Sequence, residues 1–240
     1  MTEKVYLADS YAKELDAKVV RASQGRIVLD RTIFYPGGGG QPIDTGMLAA
    51  DGRRLKVIAV EKDGDDIVHI LEGDPGLREG DSVRCVIDWD TRYACMRYHS
   101  ALHLIDGVIE TRYGSGMVTG GQIYPDRARI DIDMQGLSKE RVAEILEEVN
   151  KVALEGHPIT AMEMTVEEAL KIPRLSRTET GRKLLGTLKS VRVVDIGGVD
   201  MQADGGTHVK DTREIGKITL SAYENKGSKR KRIEITLGSL

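Results

Sequence analysis

The chain has 240 residues, 40% of them hydrophobic and 30% charged, which is the balance of a globular protein large enough to bury a core. A formal net charge of -3 excludes binding to nucleic acid through overall charge, so such a partner would have to meet a local basic cluster. No apolar stretch is long enough to cross a bilayer, and the charged N-terminus lacks the apolar segment of a signal peptide. Neither Cys85 nor Cys95 belongs to a CxxC pair. We therefore expect a soluble, cytoplasmic protein with reduced, buried thiols.

The first ninety residues contain short runs with strand character, separated by turn residues. The runs read KVYLA, AKVVRAS, RIVLDRTIFY, RRLKVIAVEK, DDIVHILE and DSVRCVIDW. Many short strands at regular spacing predict a small β-barrel or β-sandwich. We place this all-β domain at residues 1–89.

The pattern becomes helical from Asp90 onward. An apolar stripe with helical spacing is formed by Cys95, Tyr98, Leu102, Ile105 and Ile109. Gly114 is the expected end of this helix. Strict alternation over residues 128–134 predicts a strand, and a second helix is expected between Ser138 and Gly156.

A third helix should begin at Thr165, where Glu168 completes a capping box, and Pro173 should stop it. The strand-like runs SVRVVDI, EIGKITLSAY and KRIEITL follow. This mixture of helices and strands predicts an α+β domain over residues 90–240.

Two histidines lie one turn apart on the first of these helices. His99 and His103 are four residues apart, so their rings share one face of the helix and can point at one ion. The pair alone is weak evidence, because two partly exposed helix histidines are the commoner explanation. The zinc-protease signature HExxH is absent, since Ser100 follows His99.

A third histidine lies on a glycine-rich turn. Residues 204–208 read DGGTH, and both Asp204 and His208 are metal-ligand types. The glycines let this turn approach other groups closely, although DGG is also a common sequence for a surface β-turn. His69, within a β-run, and His157, after a helix end, are expected to be structural.

The order of these motifs resembles the editing-domain family of alanyl-tRNA synthetase, and within it the freestanding AlaX-type trans-editing proteins. The HxxxH pair followed by GGTH is similar to the zinc signature of that family. FYPGGGGQPIDTG resembles its N-terminal glycine-rich motif, and RYHSALHLI and DMQADGGTHVKDTREIG resemble its two metal segments. GSKRKRIEI resembles its closing strand. The resemblance runs from about residue 4 to residue 237 and fits the medium-length subclass best.

The resemblance implies a translation-factor-like β-barrel followed by an α+β editing domain of the type also found in threonyl-tRNA synthetase. It implies hydrolysis of the ester of tRNA(Ala) wrongly charged with serine, and often with glycine, while alanyl-tRNA is spared. It also implies one zinc ion per chain, held by His99, His103 and His208. The expected partner is mischarged tRNA(Ala), and no membrane is involved.

One position departs from the family. Asp204 stands where the family usually has cysteine. An aspartate carries the charge of a thiolate, but it is a harder oxygen ligand with a different reach. Asp204 could complete a site of four protein ligands, or it could stay back and hydrogen-bond a water or a ligand, which leaves three histidines and a water. The sequence does not distinguish these two arrangements.

Two roles for zinc are open at this point. The ion could lower the pKa of a water and polarise the ester carbonyl, or it could anchor the amino group or ribose of the substrate. Serine differs from alanine by one hydroxyl, which a buried polar group can recognise. Thr119, in MVTGGQ, is the first candidate for that contact and Gln122 the weaker one. The competing interpretation of Thr119 is a loop residue in a glycine-rich turn.

The resemblance implies that a glycine-rich segment is the loop for substrate discrimination. It consists of Gly37, Gly38, Gly39, Gly40 and Gln41. A flexible hairpin is the alternative, but four consecutive glycines cost conformational entropy on ordering, which favours a specific role. No GK[ST] follows, so the segment is not a phosphate loop.

A basic cluster near the C-terminus is the candidate contact for tRNA phosphates. It consists of Lys226, Lys229, Arg230, Lys231 and Arg232. A solvated hairpin is the alternative. Asp131 and Asp133 alternate along one strand and are expected on a solvated polar face.

Three functions follow from these patterns. The first is a zinc-dependent aminoacyl-tRNA hydrolase. The second is an RNA-binding relative of the editing domain that has lost catalysis, with Asp204 as a sign of decay, although three intact histidines argue against it. The third is a metal-dependent hydrolase of a small aminoacyl compound. Deacylation assays with and without a chelator separate the three.

Overall fold

A computed structural model describes residues 1–114, 116–172, 175, 190–227 and 230–239. The chain divides into two compact units, Met1–Cys95 and Met96–Leu240. Helix α2 (Trp89–Val108) begins in the first unit and continues into the second, and the domain boundary between residues 89 and 90 stays a prediction. Within the described part of the chain, no helix combines the length and apolar character needed to cross a membrane.

Six strands close a barrel in the first unit. They are β2 (Glu14–Ser23), β3 (Arg26–Leu29), β5 (Gly46–Ala50), β6 (Arg53–Asp63), β7 (Asp66–Leu71) and β8 (Ser82–Ile87). Their order around the barrel is β2-β3-β7-β6-β5-β8, with every neighbouring pair antiparallel. Alternate residues point inward and form an aliphatic core around Phe34. The predicted β-barrel is confirmed, whereas its likeness to translation factors stays a prediction.

The N-terminal segment of the first unit differs from the prediction. Strand β1 (Glu3–Lys4) pairs in parallel with β4 (Arg31–Thr32), and α1 (Val5–Ala8) is a single helical turn. The strand predicted for KVYLA is therefore wrong, because a run of five residues is too short for periodicity to separate a helical turn from a strand. Tyr6 is buried, and its ring meets that of Tyr35 edge-on with 5.5 Å between centroids.

The glycine-rich segment forms a tight turn. Gly38 N donates to Gln41 O at 3.1 Å, and Gln41 N donates to Gly38 O at 2.9 Å. Gly37 to Gly40 all have positive φ, between 59° and 137°, a region that residues with a side chain rarely adopt. The glycines are therefore needed for the shape of the turn, and their part in substrate discrimination stays a prediction.

A buried ion pair fixes the start of α2 to the segment that carries this turn. Arg92 is 1% exposed, and its Nε donates to Asp44 Oδ1 at 2.9 Å. Its other nitrogens donate to Ile33 O at 2.6 Å and Ser10 O at 3.1 Å. Removing one partner of a buried pair costs about 3–5 kcal/mol, because the other charge is left uncompensated. The sequence patterns did not reveal this pair.

The two cysteines are free and buried. Burial raises the pKa of the Cys85 thiol to about 12, and it raises the pKa of the Cys95 thiol to about 12 as well. Both are therefore protonated at neutral pH, as expected for structural thiols.

In the part that the structure describes, the second unit contains two antiparallel sheets and the remaining helices. Its strands are β9 (Met117–Ile123), β10 (Ala128–Asp133), β11 (Ile159–Thr165), β12 (Ser190–Ile196), β13 (Asp200–Ala203), β14 (Ile218–Asn225) and β15 (Arg230–Leu237). One sheet has the order β14-β15-β10-β9 and the other the order β11-β12-β13. The unit thus combines helices and antiparallel strands, as expected for an α+β domain.

The helix ends follow the capping residues in the sequence. Helix α2 continues as a π-helical turn and ends at Gly114, which has a left-handed backbone. Helix α3 (Lys139–Glu155) begins after Ser138, whose side chain accepts a hydrogen bond from Arg141 N, and ends at left-handed Gly156.

The third predicted helix is short. Helix α4 (Val166–Leu170) starts after Thr165, which forms the predicted capping box with Glu168. Pro173, the expected stop, lies outside the described residues. The strand predicted from residue 214 begins only at Ile218, since a 3-10 turn occupies Thr212–Ile215.

Candidate metal centre

Helix α2 carries the first two residues of the centre. His99 is 4% exposed and His103 8%, and the centroids of their rings lie 5.1 Å apart. Neighbouring residues hold this part of the helix in place: Arg97 Nη2 donates to Ile215 O at 2.8 Å, and Tyr98 Oη donates to Asp126 O at 2.7 Å. The histidines thus lie on a helix face that is covered and not on the solvated face.

The turn after β13 carries the other two residues. Asp204 N donates to Arg192 O at 3.1 Å, and Arg192 Nη1 donates back to Asp204 O and Gly206 O, both at 3.0 Å. Gly206 N donates to Asp204 Oδ2 at 2.7 Å. Hydrogen bonds within the DGGTH turn and to Arg192 therefore fix its shape. Asp204 Oδ1 lies 3.7 Å from His99 Nε2.

The helix and the turn bring four metal-ligand types together. One ligand atom from each of His99, His103, Asp204 and His208 lies within 4.8 Å of the other three. The ring of His208 stacks on that of His99 with 4.3 Å between centroids and lies 4.9 Å from that of His103. Zinc takes such donors at about 2.0–2.2 Å in a tetrahedron, which places them roughly 3.4 Å apart, so a small inward movement fits the group to the ion.

Burial and charge set the protonation of the four residues. Burial lowers the pKa of His99 well below its usual value, and burial also lowers the pKa of His208. Burial opposes ionisation of Asp204, but the surrounding histidines, His99 first, hold its pKa well below the usual range. For His103, burial is outweighed by the hydrogen bond to Asp200 and by nearby carboxylates, so its pKa is raised. His99 and His208 are thus held in the neutral form, which binds a divalent cation, whereas His103 would release its additional proton when the ion binds.

A second layer of polar residues contacts the imidazoles. His103 Nδ1 lies 2.9 Å from Asp200 Oδ2, and His208 Nδ1 lies 3.1 Å from Ser100 Oγ. Gln202 Nε2 donates to Asp106 Oδ2 at 2.6 Å and to Asp200 Oδ2 at 3.0 Å. The sequence patterns did not single out these residues. Alternation of polar residues at positions 200, 202 and 204 was the available signal, because it predicts one shared strand face.

Thr119 lies at an irregular point of strand β9. Gly120 pairs with Asp131 and Val118 with Ile132, so Thr119 is the extra residue of a β-bulge. Its Oγ1 donates to Asp131 O at 3.3 Å, and the side chain is exposed. Bulges redirect a side chain out of the strand alternation and recur beside active sites.

The other candidate on this strand points elsewhere. Gln122 pairs with Arg129, whereas Gly121 pairs with Ile130 on the buried face of the sheet. A methyl group at Gly121 would lie 3.5 Å from Leu102 of α2. Gln122 therefore belongs to the opposite face from the one that packs on α2. The catalytic roles of Thr119 and Gln122 stay predictions.

The basic cluster is partly engaged within the protein. Lys231 is buried, and its Nζ donates to Asn225 Oδ1 at 2.8 Å. Arg232 Nε donates to Asp131 Oδ1 at 2.7 Å. Arg230 is exposed, and Lys229 lies outside the described residues. Contact with tRNA stays a prediction. Lys226 and Arg230 are the described members with exposed side chains, and Lys226 pairs with Glu224.

The remaining histidines lie outside the centre. His69 is fully buried in β7, where its Nε2 lies 2.7 Å from Thr32 Oγ1. His157 Nε2 lies 3.0 Å from Glu155 Oε2. Both have structural partners, in keeping with the expectation from the sequence.

Comparison with known proteins gives matches over both units. Residues 2–91 match the family model described as tRNA synthetases class II (A), and residues 191–234 match the threonyl and alanyl tRNA synthetase second additional domain. The second match contains the DGGTH turn.

Several relatives that align along the whole of both chains are alanyl-tRNA editing proteins. The AlaX-M protein of Saccharolobus solfataricus is 39% identical over 99% of both chains, and that of Methanosarcina acetivorans is 40% identical over 99% of both chains. The alanine–tRNA ligase of Metallosphaera sedula is 36% identical over 93% of this chain, which covers 25% of the ligase. The chain belongs to the family of AlaX-type alanyl-tRNA editing proteins, in its AlaX-M group.

Proposed function

We propose that the protein is a trans-editing hydrolase that deacylates tRNA(Ala) mischarged with serine, with Gly-tRNA(Ala) as a second substrate. The observation that carries the proposal is the convergence of His99, His103, Asp204 and His208 in one buried group of potential metal ligands. It occurs in a chain that aligns from end to end with alanyl-tRNA editing proteins.

The cofactor in this proposal is one zinc ion per chain. Three imidazoles and one carboxylate are donors that zinc accepts in a tetrahedral site. The carboxylate of Asp204 would complete the set of four protein ligands, since its Oδ2 lies 3.0 Å from His208 Nε2 and its Oδ1 lies 3.7 Å from His99 Nε2. When bound, the ion would supply Lewis-acid chemistry at the ester or an anchor for the substrate's amino group.

The protein's own residues supply positioning and selection. Thr119 is proposed to hydrogen-bond the hydroxyl of the seryl group. A site that depends on such a bond disfavours alanine, because the protein hydroxyl would then be left unpaired. The bulge in β9 and the exposure of Thr119 support this role. Gln122 is the weaker candidate, since it lies on the other face of the strand.

The test compares deacylation of Ser-tRNA(Ala), Gly-tRNA(Ala) and Ala-tRNA(Ala) by the full-length protein, with and without a chelator. His208→Ala is expected to abolish hydrolysis of Ser-tRNA(Ala) and to remove the metal. His157→Ala is the matched control, because its ring contacts Glu155 and lies outside the centre.

The outcomes separate this proposal from its alternatives. Hydrolysis of Ser-tRNA(Ala) but not of Ala-tRNA(Ala), lost with chelator, supports trans-editing. Binding of tRNA without hydrolysis of any ester would indicate a relative that has lost catalysis. Hydrolysis of a small seryl ester but not of Ser-tRNA(Ala) would indicate a hydrolase of small aminoacyl compounds.

A further inference from the structure

One ligand histidine contacts a buried carboxylate. His103 Nδ1 lies 2.9 Å from Asp200 Oδ2, and Asp200 is completely buried. A carboxylate oxygen accepts a hydrogen bond from an imidazole N–H, so this contact favours a proton on Nδ1 of His103. Nε2 is then the nitrogen that carries a lone pair.

The carboxylate is itself held in place. Gln202 Nε2 donates to Asp200 Oδ2 at 3.0 Å and to Asp106 Oδ2 at 2.6 Å. Asp106 is three residues after His103 on α2, and it is 5% exposed. One amide group of Gln202 thus bridges two buried carboxylates, one from the helix and one from β13. The bridge restricts Asp200 to the position from which it reaches His103.

The approach of β13 to the helix depends on a residue without a side chain. A methyl group at Gly107 would lie 2.7 Å from Val199 O and 2.8 Å from Asp200 Cβ. Backbone cannot approach a methyl group this closely, so an alanine at Gly107 would push residues 199–200 away from α2. Glycine is otherwise unfavourable within a helix by about 1 kcal/mol relative to alanine. Its presence here fits a requirement for close contact.

A second ligand histidine, His208, also contacts a polar side chain through its Nδ1. Its partner is a neutral hydroxyl, Ser100 Oγ, at 3.1 Å. A charged acceptor forms the stronger hydrogen bond and makes the imidazole a better electron donor. We therefore expect Asp200 to affect metal binding more than Ser100 does.

We propose that Asp200 is a positioning residue for the metal centre: it fixes the Nδ1–H tautomer of His103, directs Nε2 toward the ion and so determines how tightly the centre binds metal. The inference rests on the proposed function only in taking His103 as a metal ligand. Removing the hydrogen-bond partner of a metal-ligand histidine typically lowers metal affinity about 10- to 100-fold.

The experiment measures Zn²⁺ affinity of the full-length protein by competition with a chromophoric chelator, in the absence of tRNA. Asp200→Ala is expected to weaken binding about 10- to 100-fold. Asp200→Asn should recover part of the affinity, because its amide oxygen still accepts from Nδ1 of His103 but carries no negative charge. Asp195→Asn is the matched control: Asp195 lies on the adjacent strand β12, and its Oδ1 accepts from Gly198 N.

Two further measurements distinguish positioning from a merely structural role. ¹⁵N chemical shifts of the His103 ring are expected to show protonated Nδ1 in the wild type and mixed tautomers in Asp200→Ala. Gly107→Ala removes no polar group from the protein, and it is expected to weaken Zn²⁺ binding because it displaces Asp200.

Unchanged Zn²⁺ affinity in folded Asp200→Ala would overturn the proposal. If that variant does not fold, unchanged affinity in Gly107→Ala would overturn it. A wild-type protein that binds Zn²⁺ but does not hydrolyse Ser-tRNA(Ala) would refute the proposed function and leave this inference standing. Full hydrolysis of Ser-tRNA(Ala) by the wild type, together with unchanged Zn²⁺ affinity in Asp200→Ala, would support the proposed function and refute this inference.

Discussion

His69 makes the stability of the barrel depend on pH. Its Nδ1 lies 3.1 Å from Ile27 O, a pure acceptor, so Nδ1 carries the proton and Nε2 accepts from the hydroxyl of Thr32 at 2.7 Å. A second proton on Nε2 would replace that accepted bond and place a charge in the barrel core. Burial accordingly lowers the pKa of His69 from 6.5 to about 4, against a smaller opposing effect of the bond to Ile27.

The magnitude follows from the pKa. The folded state favours the neutral ring, so the contribution of His69 is complete above pH 6.5 and is lost as the pH falls from 6.5 to about 4. At about 1.36 kcal/mol per pKa unit, this shift corresponds to a loss of about 3 kcal/mol in the free energy of unfolding. His69 is 0% exposed, so solvent screening does not reduce the effect.

Urea unfolding followed by fluorescence measures this loss. Trp89 is the only tryptophan and packs against the barrel core, so its emission reports on the first unit. Titration from pH 7 to pH 4 should cost the wild type about 3 kcal/mol more than His69→Gln, whose amide does not titrate in this range. An equal loss in both proteins would refute the assignment of this pH dependence to His69.

Three further predictions concern selection and tRNA binding. Thr119→Val should lower kcat/KM for Ser-tRNA(Ala) about 5- to 150-fold, the equivalent of about 1–3 kcal/mol. It should spare Gly-tRNA(Ala), whose glycyl group has no side-chain hydroxyl. Equal losses for the two substrates would contradict this role of Thr119. Gly37→Ala should reduce discrimination against Ala-tRNA(Ala), whereas Gly52→Ala, at nearly the same φ (77° and 73°), should not; identical kinetics would leave the segment a structural turn. Arg230→Glu should weaken tRNA binding and its salt dependence, and an equal effect of Lys139→Glu would show that only net charge matters.

Local signals predicted the ends of α3 and the start of α4, whereas the single turn α1 was predicted as a strand. Ser138 and Gly156 bound α3, and Thr165 with Glu168 starts α4, because capping is decided by residues that are adjacent in sequence. Strands without a local signature were missed. Strand β9 contains Gly120 and Gly121, which weaken strand character, and β13 has four residues of which two are polar.

In the candidate metal centre, too, residues close in sequence could be predicted and long-range contacts could not. His99 and His103 could be paired from their spacing alone, and the glycines after Asp204 marked a close approach. Asp200 could not be assigned to His103, because that contact joins residues 97 positions apart and depends on the packing of β13 against α2. Similarly, the partners of Arg92 come from three separate segments of the first unit, so no sequence pattern predicts its burial.

The most direct test of the account measures zinc content and hydrolysis of Ser-tRNA(Ala) on the same samples, as zinc is added back to metal-free protein. Activity is expected to rise in proportion to bound zinc and to saturate at one ion per chain, with neither binding nor activity in His208→Ala. Full activity in the metal-free protein, or stoichiometric zinc in a His208→Ala variant, would contradict the assignment of the four residues as the centre of an editing site.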